Sequence, residues 1–385
     1  MNISSVRNCF GCGVCSIVCG RKIIEIKLNE DGFYEPCITN PDKCTDCGLC
    51  YDVCSFSHDD LALKTIDIRS YATWSKDYAI RKKCSSGGIS YELARFLIAQ
   101  GFKVCNVRYS PEKNRAEHYI ATTTEELLPG IGSKYIQSYT VDGFKAINKG
   151  EKYLVTGTPC QVDSFRRYIQ HFHKENDFIL VDFFCHGVPS KLMWDKYISY
   201  VKRKVGNISH VSWRNKDMGW HDSWAMKIIG DKSSLFSQIS QGDMFFRLFL
   251  SDTCLNKACY NHCRFKNNRS SADIRIGDFW GKQYQNNEEG VSAIVAFTSI
   301  GDEILHNCNC ILIEHPFDVV SENQMKHSPM IPKLSDTIMD ALKNPLISIE
   351  TIYYILAKEN KKQNYIYLIK NPLIAIKRIL RKLSK

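Results

Sequence analysis

The sequence predicts a mixed α/β protein in two parts: a small cysteine-rich unit at the N-terminus, then a larger domain in which strands and helices alternate. Three observations carry that expectation. The stretch CFGCGVCSIVCG, residues 9–20, is matched in pattern by CTDCGLCYDVCS, residues 44–55. Further on, the short apolar runs KYLVTG, FILVDFFC and VSAIVAF have the length and β-branched content of buried strands. In SGGISYELARFLIAQG, Ile89, Leu93, Phe96 and Leu97 recur at helical spacing behind a glycine-bearing turn, with Gly101 as the stop.

A chain of 385 residues with 44% hydrophobic and 24% charged residues can build an ordinary globular core without disulfide staples. No apolar run approaches the ~20 residues that span a bilayer, and no charged and then apolar leader opens the chain, so a cytoplasmic location is expected. In a reducing compartment, 18 cysteines are ligands, redox groups or buried thiols rather than disulfides. The formal charge of +10 is spread along the chain with no DNA- or RNA-binding motif beside it, so nucleic acid is not an expected partner.

The N-terminal unit, residues 1–62, rests on the two cysteine combs. Cys9, Cys12, Cys15 and Cys19 follow C-x2-C-x2-C-x3-C, Cys44, Cys47, Cys50 and Cys54 repeat it, and Gly13 recurs as Gly48. A 4Fe-4S cube needs four thiolates, and in a two-cluster ferredoxin the fourth cysteine of each comb serves the other cube. The expected sets are therefore Cys9, Cys12, Cys15 with Cys54, and Cys44, Cys47, Cys50 with Cys19. Structural zinc and inert buried thiols are the alternatives, although zinc sites usually show pairs of cysteines. The residue after the fourth cysteine, usually proline, is Gly20 or Ser55 here. Between the combs, IIEIKL alternates like a strand and EDGF follows as a turn; Cys37 stands outside both combs.

Two such clusters form a one-electron wire, and the remaining three hundred or so residues are expected to hold what receives the electrons. Most organic substrates change by two electrons, and a flavin is the usual converter. No GxGxxG fingerprint serves a dinucleotide; the near match GCGVCS belongs to the first comb.

Six motifs follow the combs in fixed order: SSGG (85–88), GSKYIQS (132–138), GTPCQV (157–162), CHGVPS (185–190), RNKDMGW (214–220) and ADIRIGDFWG (272–281). With the combs they resemble the coenzyme F-420 hydrogenase/dehydrogenase beta-subunit family over residues 5–335 or so. The resemblance implies an iron-sulfur flavoprotein that uses FAD to pass electrons between 4Fe-4S clusters and a two-electron acceptor. In that family the acceptor is the deazaflavin F-420, a chlorophyll precursor or a sulfite-reducing partner, and many bacterial relatives look like products of surface-polysaccharide loci. It further implies a flavin-binding domain over 63–345, with an N-terminal part to about 150 and a C-terminal part from 151, and leaves 346–385 as a helical basic tail. The expected function is a reductase fed by reduced ferredoxin or another redox partner and acting on a small-molecule or lipid-linked glycan substrate. The alternatives are an electron-transfer subunit that feeds a partner enzyme, or an F-420-dependent reductase.

On that resemblance, Ser85, Ser86, Gly87 and Gly88 precede a helix and can hold a pyrophosphate with hydroxyls, bare amides and the positive helix end, although a simple serine cap would look the same. Ser133, Lys134, Tyr135, Gln137 and Ser138 are further cofactor candidates; Lys134 can neutralise a phosphate or the reduced flavin's anionic edge, and Tyr135 can pack on a ring. Thr156, Gly157, Thr158, Pro159 and Gln161 lie at a strand's carboxyl end, where open α/β sheets keep ligands, with Gln161 aimed at flavin carbonyls. His186 is the candidate proton donor, titrating near ~6.5 in its free form, with Lys134 beside it as the second catalytic candidate. Arg214, Lys216 and Trp220 can clamp an anionic aromatic ligand, or form an exposed charged turn beside a buried tryptophan. Cys160, Cys185, Cys259 and Cys263 are candidates for a third 4Fe-4S cluster. The C-x3-C spacing of the last two departs from the family's usual C-x2-C, and Cys254 lies nearby in sequence. Finally, NPLIAIKRILRKLSK sets Leu373, Ile376, Leu380 and Leu383 on one helical stripe opposite Lys377, Arg378 and Arg381, a pattern suited either to an anionic membrane surface or to packing on the protein's own core.

Overall fold

The computed structural model describes residues 2–65, 67–324 and 326–372. Strands β1 (Ile24–Leu28) and β2 (Tyr34–Ile38) form an antiparallel hairpin, Ile24 opposite Ile38, its turn held by the Asn29 side chain, which accepts the Asp31 and Phe33 amides. Flanking the hairpin, the helical turns Val14–Val18 and Leu49–Asp52 each begin after a glycine in the left-handed region: Gly13 at φ 76° and Gly48 at φ 81°. The same glycine in both combs turns the cysteine loop into a helix at no steric cost.

The larger part is built on β3 (Arg69–Ser75), β4 (Lys103–Ser110), β5 (Arg115–Ala121), β6 (Ser138–Tyr139), β7 (Tyr153–Thr156) and β8 (Phe178–Phe183). After these come β9 (Ile208–Ser212), β10 (Ala225–Gly230) and β11 (Ser234–Gln238), a separate antiparallel sheet, and then β12 (Ile274–Asp278), β13 (Ser292–Ala296) and β14 (Cys310–Glu314). The main sheet runs β14-β3-β13-β12-β8-β7-β4-β5-β6. Its centre, β12, β8, β7 and β4, is parallel, while β3, β13, β14 and β5 pair antiparallel at the flanks.

Three sequence expectations gain detail here. The two parts of the larger domain expected on either side of residue 150 share one sheet, with β3 between β13 and β14 and β4 beside β7. The motif segment IRIGD, not among the strands expected from the sequence, is β12, at the edge of the sheet's parallel centre. It tolerates Arg275 because the guanidinium forks onto both Asp182 carboxylate oxygens at 2.7 Å and onto the Asn267 and Arg269 carbonyls, with both side chains fully buried. The region from 346 is no detached tail: the helix Ile349–Lys370 buries Ile349, Ile352 and Leu356 in the core that holds Trp194 and Phe245. The amphipathic stripe expected at Leu373, Ile376, Leu380 and Leu383 lies outside the described residues. Among the described residues no helix is long and apolar enough to cross a membrane.

The N-terminal unit has no core of its own. Val14, Val18 and Ile24 pack in one cluster with Val141, Phe144, Val162 and Phe165 of the larger domain. Removing one partner of the buried Arg275–Asp182 pair leaves an uncompensated charge under the sheet, so Asp182→Ala is expected to cost about 3–5 kcal/mol in urea unfolding.

Candidate redox centres and cofactor loop

The eight comb cysteines separate into two groups that cross the sequence order. Cys9, Cys12, Cys15 and Cys54 line one enclosed cavity with Phe10 and Phe56. Burial pushes the Cys12 thiol up to about 11, the nearby Cys54 adding to the rise and the Ser164 hydroxyl opposing it. Cys9 and Cys15 are pushed up further by burial, and each also feels Cys12 and Cys54. In the second group Cys50 is raised by burial, with Cys19 and Cys47 adding to it, and the Asn2 amide reaches Cys44 Sγ at 3.5 Å. Cys47 is exposed and Cys44 half-buried. Cys9, Cys12, Cys15 and Cys50 are raised chiefly by burial, and a bound metal would supply the positive charge that a buried thiolate needs. Among the described residues no three His, Cys, Asp or Glu donors converge as ligands of a single ion do. Cys37 is exposed, away from both groups.

A third group lies in the larger domain. Cys160 opens the helix Pro159–His171, Cys185 follows β8, and Cys259 and Cys263 come from the short helix Lys257–Asn261 and the loop after it. Burial raises Cys160, with Cys185, Cys259 and Cys12 as further negative neighbours. Burial likewise raises Cys185 to about 11, against the pull of Lys266, and Cys259 to about 12, and Cys263 is a neighbour of both. The Lys266 ammonium donates to the Cys185 and His186 carbonyls at 2.8 and 3.0 Å. Cys254 stands apart, its Sγ 3.5 Å from Met193 Sδ in the hydrophobic core. Between the first and third groups, Phe10 meets Phe265 edge-on at 5.9 Å, and this apolar cluster also touches Cys160 and Cys263.

The SSGG and GSKY motifs meet at one loop cluster. Ser85 Oγ accepts the Ser133 amide at 2.8 Å, Ser86 Oγ donates to the Val291 carbonyl, and Gly87 N–H donates to Ser292 Oγ at 3.0 Å. Any side chain at Gly87 would run into the Thr73 carbonyl on β3. Gly88, at φ 90°, opens the helix Ile89–Ala99 without a side-chain cap, so the helix end keeps its positive pole open to an anion. Two ammoniums sit at this loop on backbone carbonyls alone. Lys134 holds Gly130, Ile131 and Gly132 at 2.6–3.1 Å, and Lys216 holds Arg81, Ser86 and Glu289 at 2.6–2.9 Å. Burial lowers Lys134 to about 7 and Lys216 to about 8.

Several candidates have other duties. Gln161 closes a capping box, accepting the Thr158 amide at 2.9 Å and donating to Ser138 Oγ at 3.1 Å, so its side chain and that of Ser138 are engaged with the fold rather than free for a flavin. Gln137 is likewise committed: it donates to the Phe10 carbonyl and accepts the Tyr34 amide, fastening the larger domain to the N-terminal unit. Pro159 is the first residue of the capped helix and Gly157 packs against Gln161, while the Thr158 hydroxyl lies 3.2 Å from Cys160 Sγ. Thr156 donates to the Cys105 carbonyl. The Arg214 clamp is corrected too. Its guanidinium is buried against the stacked Trp224 and Trp280, 4.8 and 5.0 Å from the ring centres, neutralised by Asp278 at 2.7 Å, and donates to the Tyr135 hydroxyl at 3.3 Å. Trp220 stacks on Trp280 and donates to Asp278 at 3.1 Å. The Tyr135 ring packs against Trp224, Phe246 and Phe249, and Phe249 in turn meets His186. His186 Nε2 bonds Asp252 Oδ1 at 2.5 Å. Sequence reasoning missed Asp252, Asp278, Trp224 and Trp280. Asp278 and Trp280 stood within the DFWG motif, but nothing local ties Asp252 to a histidine 66 residues away.

Comparison with known proteins identifies the family. The family model described as "Coenzyme F420 hydrogenase/dehydrogenase, beta subunit N-term" matches residues 70–144, and its companion for the C terminus matches 150–313. The chain belongs to the coenzyme F420 hydrogenase/dehydrogenase beta-subunit family. A 4Fe-4S dicluster domain matches residues 8–57, so this family member is an iron-sulfur electron-transfer protein with a ferredoxin-type unit at its N-terminal end. Among solved structures it is similar to a chain of the xenon-derivatised F420-reducing [NiFe] hydrogenase complex from Methanosarcina barkeri, with 16% identity and a TM-score of 0.45 over 78% of this chain and 94% of that one. No curated protein matches it.

A cavity of about 730 Å³ lies away from every motif of the family, lined by Arg247, Leu250, Lys333, Tyr353 and Leu356. No thiol lines it, and Arg247 there is satisfied by the Ile239 carbonyl and the Tyr353 hydroxyl, so the loop cluster remains the candidate cofactor site. Lys134 gives that cluster a pH signature. Between about 7 and its free value of 10.5 the folded side chain is neutral while the unfolded one still binds a proton, so folding gains stability as pH rises through that window. In urea unfolding of flavin-free protein, wild type is expected to gain on Lys134→Met between pH 6.5 and pH 9 or so; a constant difference would show that burial does not perturb the ammonium.

Proposed function

We propose that the chain is a flavin-dependent iron-sulfur reductase. Cys44, Cys47 and Cys50 with Cys19 hold an outer 4Fe-4S cluster, Cys9, Cys12 and Cys15 with Cys54 hold an inner one, and Cys160, Cys185, Cys259 and Cys263 hold a third within the flavin domain. When bound, the clusters carry single electrons and FAD converts them to two-electron chemistry. The observation that supports this reading is the crossed grouping of the comb thiols, together with Cys12 as a neighbour of Cys160; on this reading the three groups form a series. Cys47, the exposed ligand, marks the outer group as the point where a reduced ferredoxin or another one-electron donor delivers charge.

Ser85, Ser86, Gly87 and Gly88 bind the FAD pyrophosphate at the open helix end, and Lys134 and Lys216 offset its charge from the adjoining loops. Tyr135, rigidly packed by its aromatic neighbours, borders the ring system. His186, oriented by Asp252, keeps a proton at hand for a two-electron organic substrate; the carboxylate fixes one ring nitrogen and leaves the other for transfer. The substrate class is a small molecule or a lipid-linked glycan intermediate, in keeping with the polysaccharide loci of related proteins.

Anaerobic purification with iron and sulfide counts and chromatography of the released flavin tests this directly. About twelve irons per chain and one FAD are expected, at four irons per cube; about eight would remove the third cluster. Cys185→Ala is expected to lose about four irons and keep the comb clusters, whereas paired Cys12→Ala and Cys47→Ala should strip the comb clusters and leave the flavin bound. Unchanged iron in either variant would overturn the ligand assignment.

A further inference from the structure

The helix Pro159–His171 does more than carry Cys160. One turn on, Ser164 presents a fully buried hydroxyl to the N-terminal unit. Its Oγ lies 3.2 Å from Cys12 Sγ and accepts the Ser55 amide at 3.0 Å. Ser55 follows Cys54, so one hydroxyl touches two segments 42 residues apart that supply thiols to the same cavity. The comb pattern usually places proline after its fourth cysteine, and proline has no N–H. Ser55 has one, and Ser164 receives it. The protonated Cys12 thiol donates to Ser164 Oγ, whose two lone pairs take that thiol and the Ser55 amide; once the sulfur is a thiolate the direction reverses, and the Ser164 hydroxyl proton has the Cys12 sulfur as its neighbouring acceptor.

The geometry points to Ser164 as a positioning residue that sets the reduction potential of the inner cluster, through a hydrogen bond from the larger domain to the Cys12 thiolate. This rests on the cluster assignment proposed above. A reduced cluster carries one more negative charge than the oxidised one, and a hydrogen bond to a ligand sulfur stabilises the more negative state, so the bond raises the potential. Cys160 and Ser164 stand at i and i+4 on one helix face. The element that presents a ligand of the third group therefore also grips the inner one, while the Ser164 hydroxyl acts on the inner one alone.

The test is an anaerobic redox titration of the full-length holoprotein, followed by electron paramagnetic resonance, for wild type, Ser164→Ala and Ser164→Thr. In Ser164→Ala one cluster is expected to become harder to reduce, its reduced-to-oxidised ratio at fixed poise falling about tenfold, or about 59 mV for a one-electron couple. The other clusters should keep their midpoints, and Ser164→Thr, which retains the hydroxyl, should stay with wild type. Loss of iron from the alanine variant alone, with the threonine variant intact, would also support the hydroxyl's role. Full iron with every midpoint unmoved in Ser164→Ala, or equal effects of both substitutions, would overturn it. A wild-type protein without iron would instead remove the cluster assignment itself.

Discussion

The packing of one helix, Pro159–His171, against the cysteine combs holds the molecule's chemistry together. Val162 and Phe165 enter the core that also contains Val14, Val18 and Ile24, so the N-terminal unit is fixed by shared apolar surface rather than by a linker. On the same helix, Asp163 accepts the Ala62 amide and the Ser271 hydroxyl, which pins the chain where it leaves the combs. Electron transfer between centres needs a fixed, short separation. A helix buried between two groups of thiols supplies it, because close-packed interiors deform little.

The rest of the domain deals with charge that the sheet buries. Arg275 with Asp182, Arg166 with Asp273 and Arg214 with Asp278 are ion pairs at 2.7–2.8 Å whose side chains are buried or nearly so. Pairs of this kind add little net stability, but each fails badly if one partner is lost, so they enforce one arrangement of strands and loops. Arg214 shows the consequence for function. Its guanidinium gathers Tyr135, Trp224 and Trp280 around Asp278, beside the candidate cofactor loop. Lys134 and Lys216 differ, because their ammoniums bond backbone carbonyls and both side chains lose affinity for their proton on burial. A bound anion would restore what burial takes away.

Sequence alone determined the local chemistry. The spacing of Cys9, Cys12 and Cys15, repeated at Cys44, Cys47 and Cys50, is a property of short loops, as are the glycine turns at Gly13 and Gly48 and the strand character of YLVT, FILVDF and SAIVA; all of these depend on neighbours in the chain. The family was legible for the same reason, since its motifs are contiguous. Tertiary structure decided whatever depends on residues far apart in sequence. It spent Gln137 and Gln161 on internal hydrogen bonds, made a strand of IRIGD by giving Arg275 a buried partner, and tied His186 to Asp252. It also brought Ser164 to Cys12 across 152 positions. A hydrogen-bonding side chain can serve a ligand or the fold, and its residue type is the same in either case; only the three-dimensional position of its partner distinguishes them.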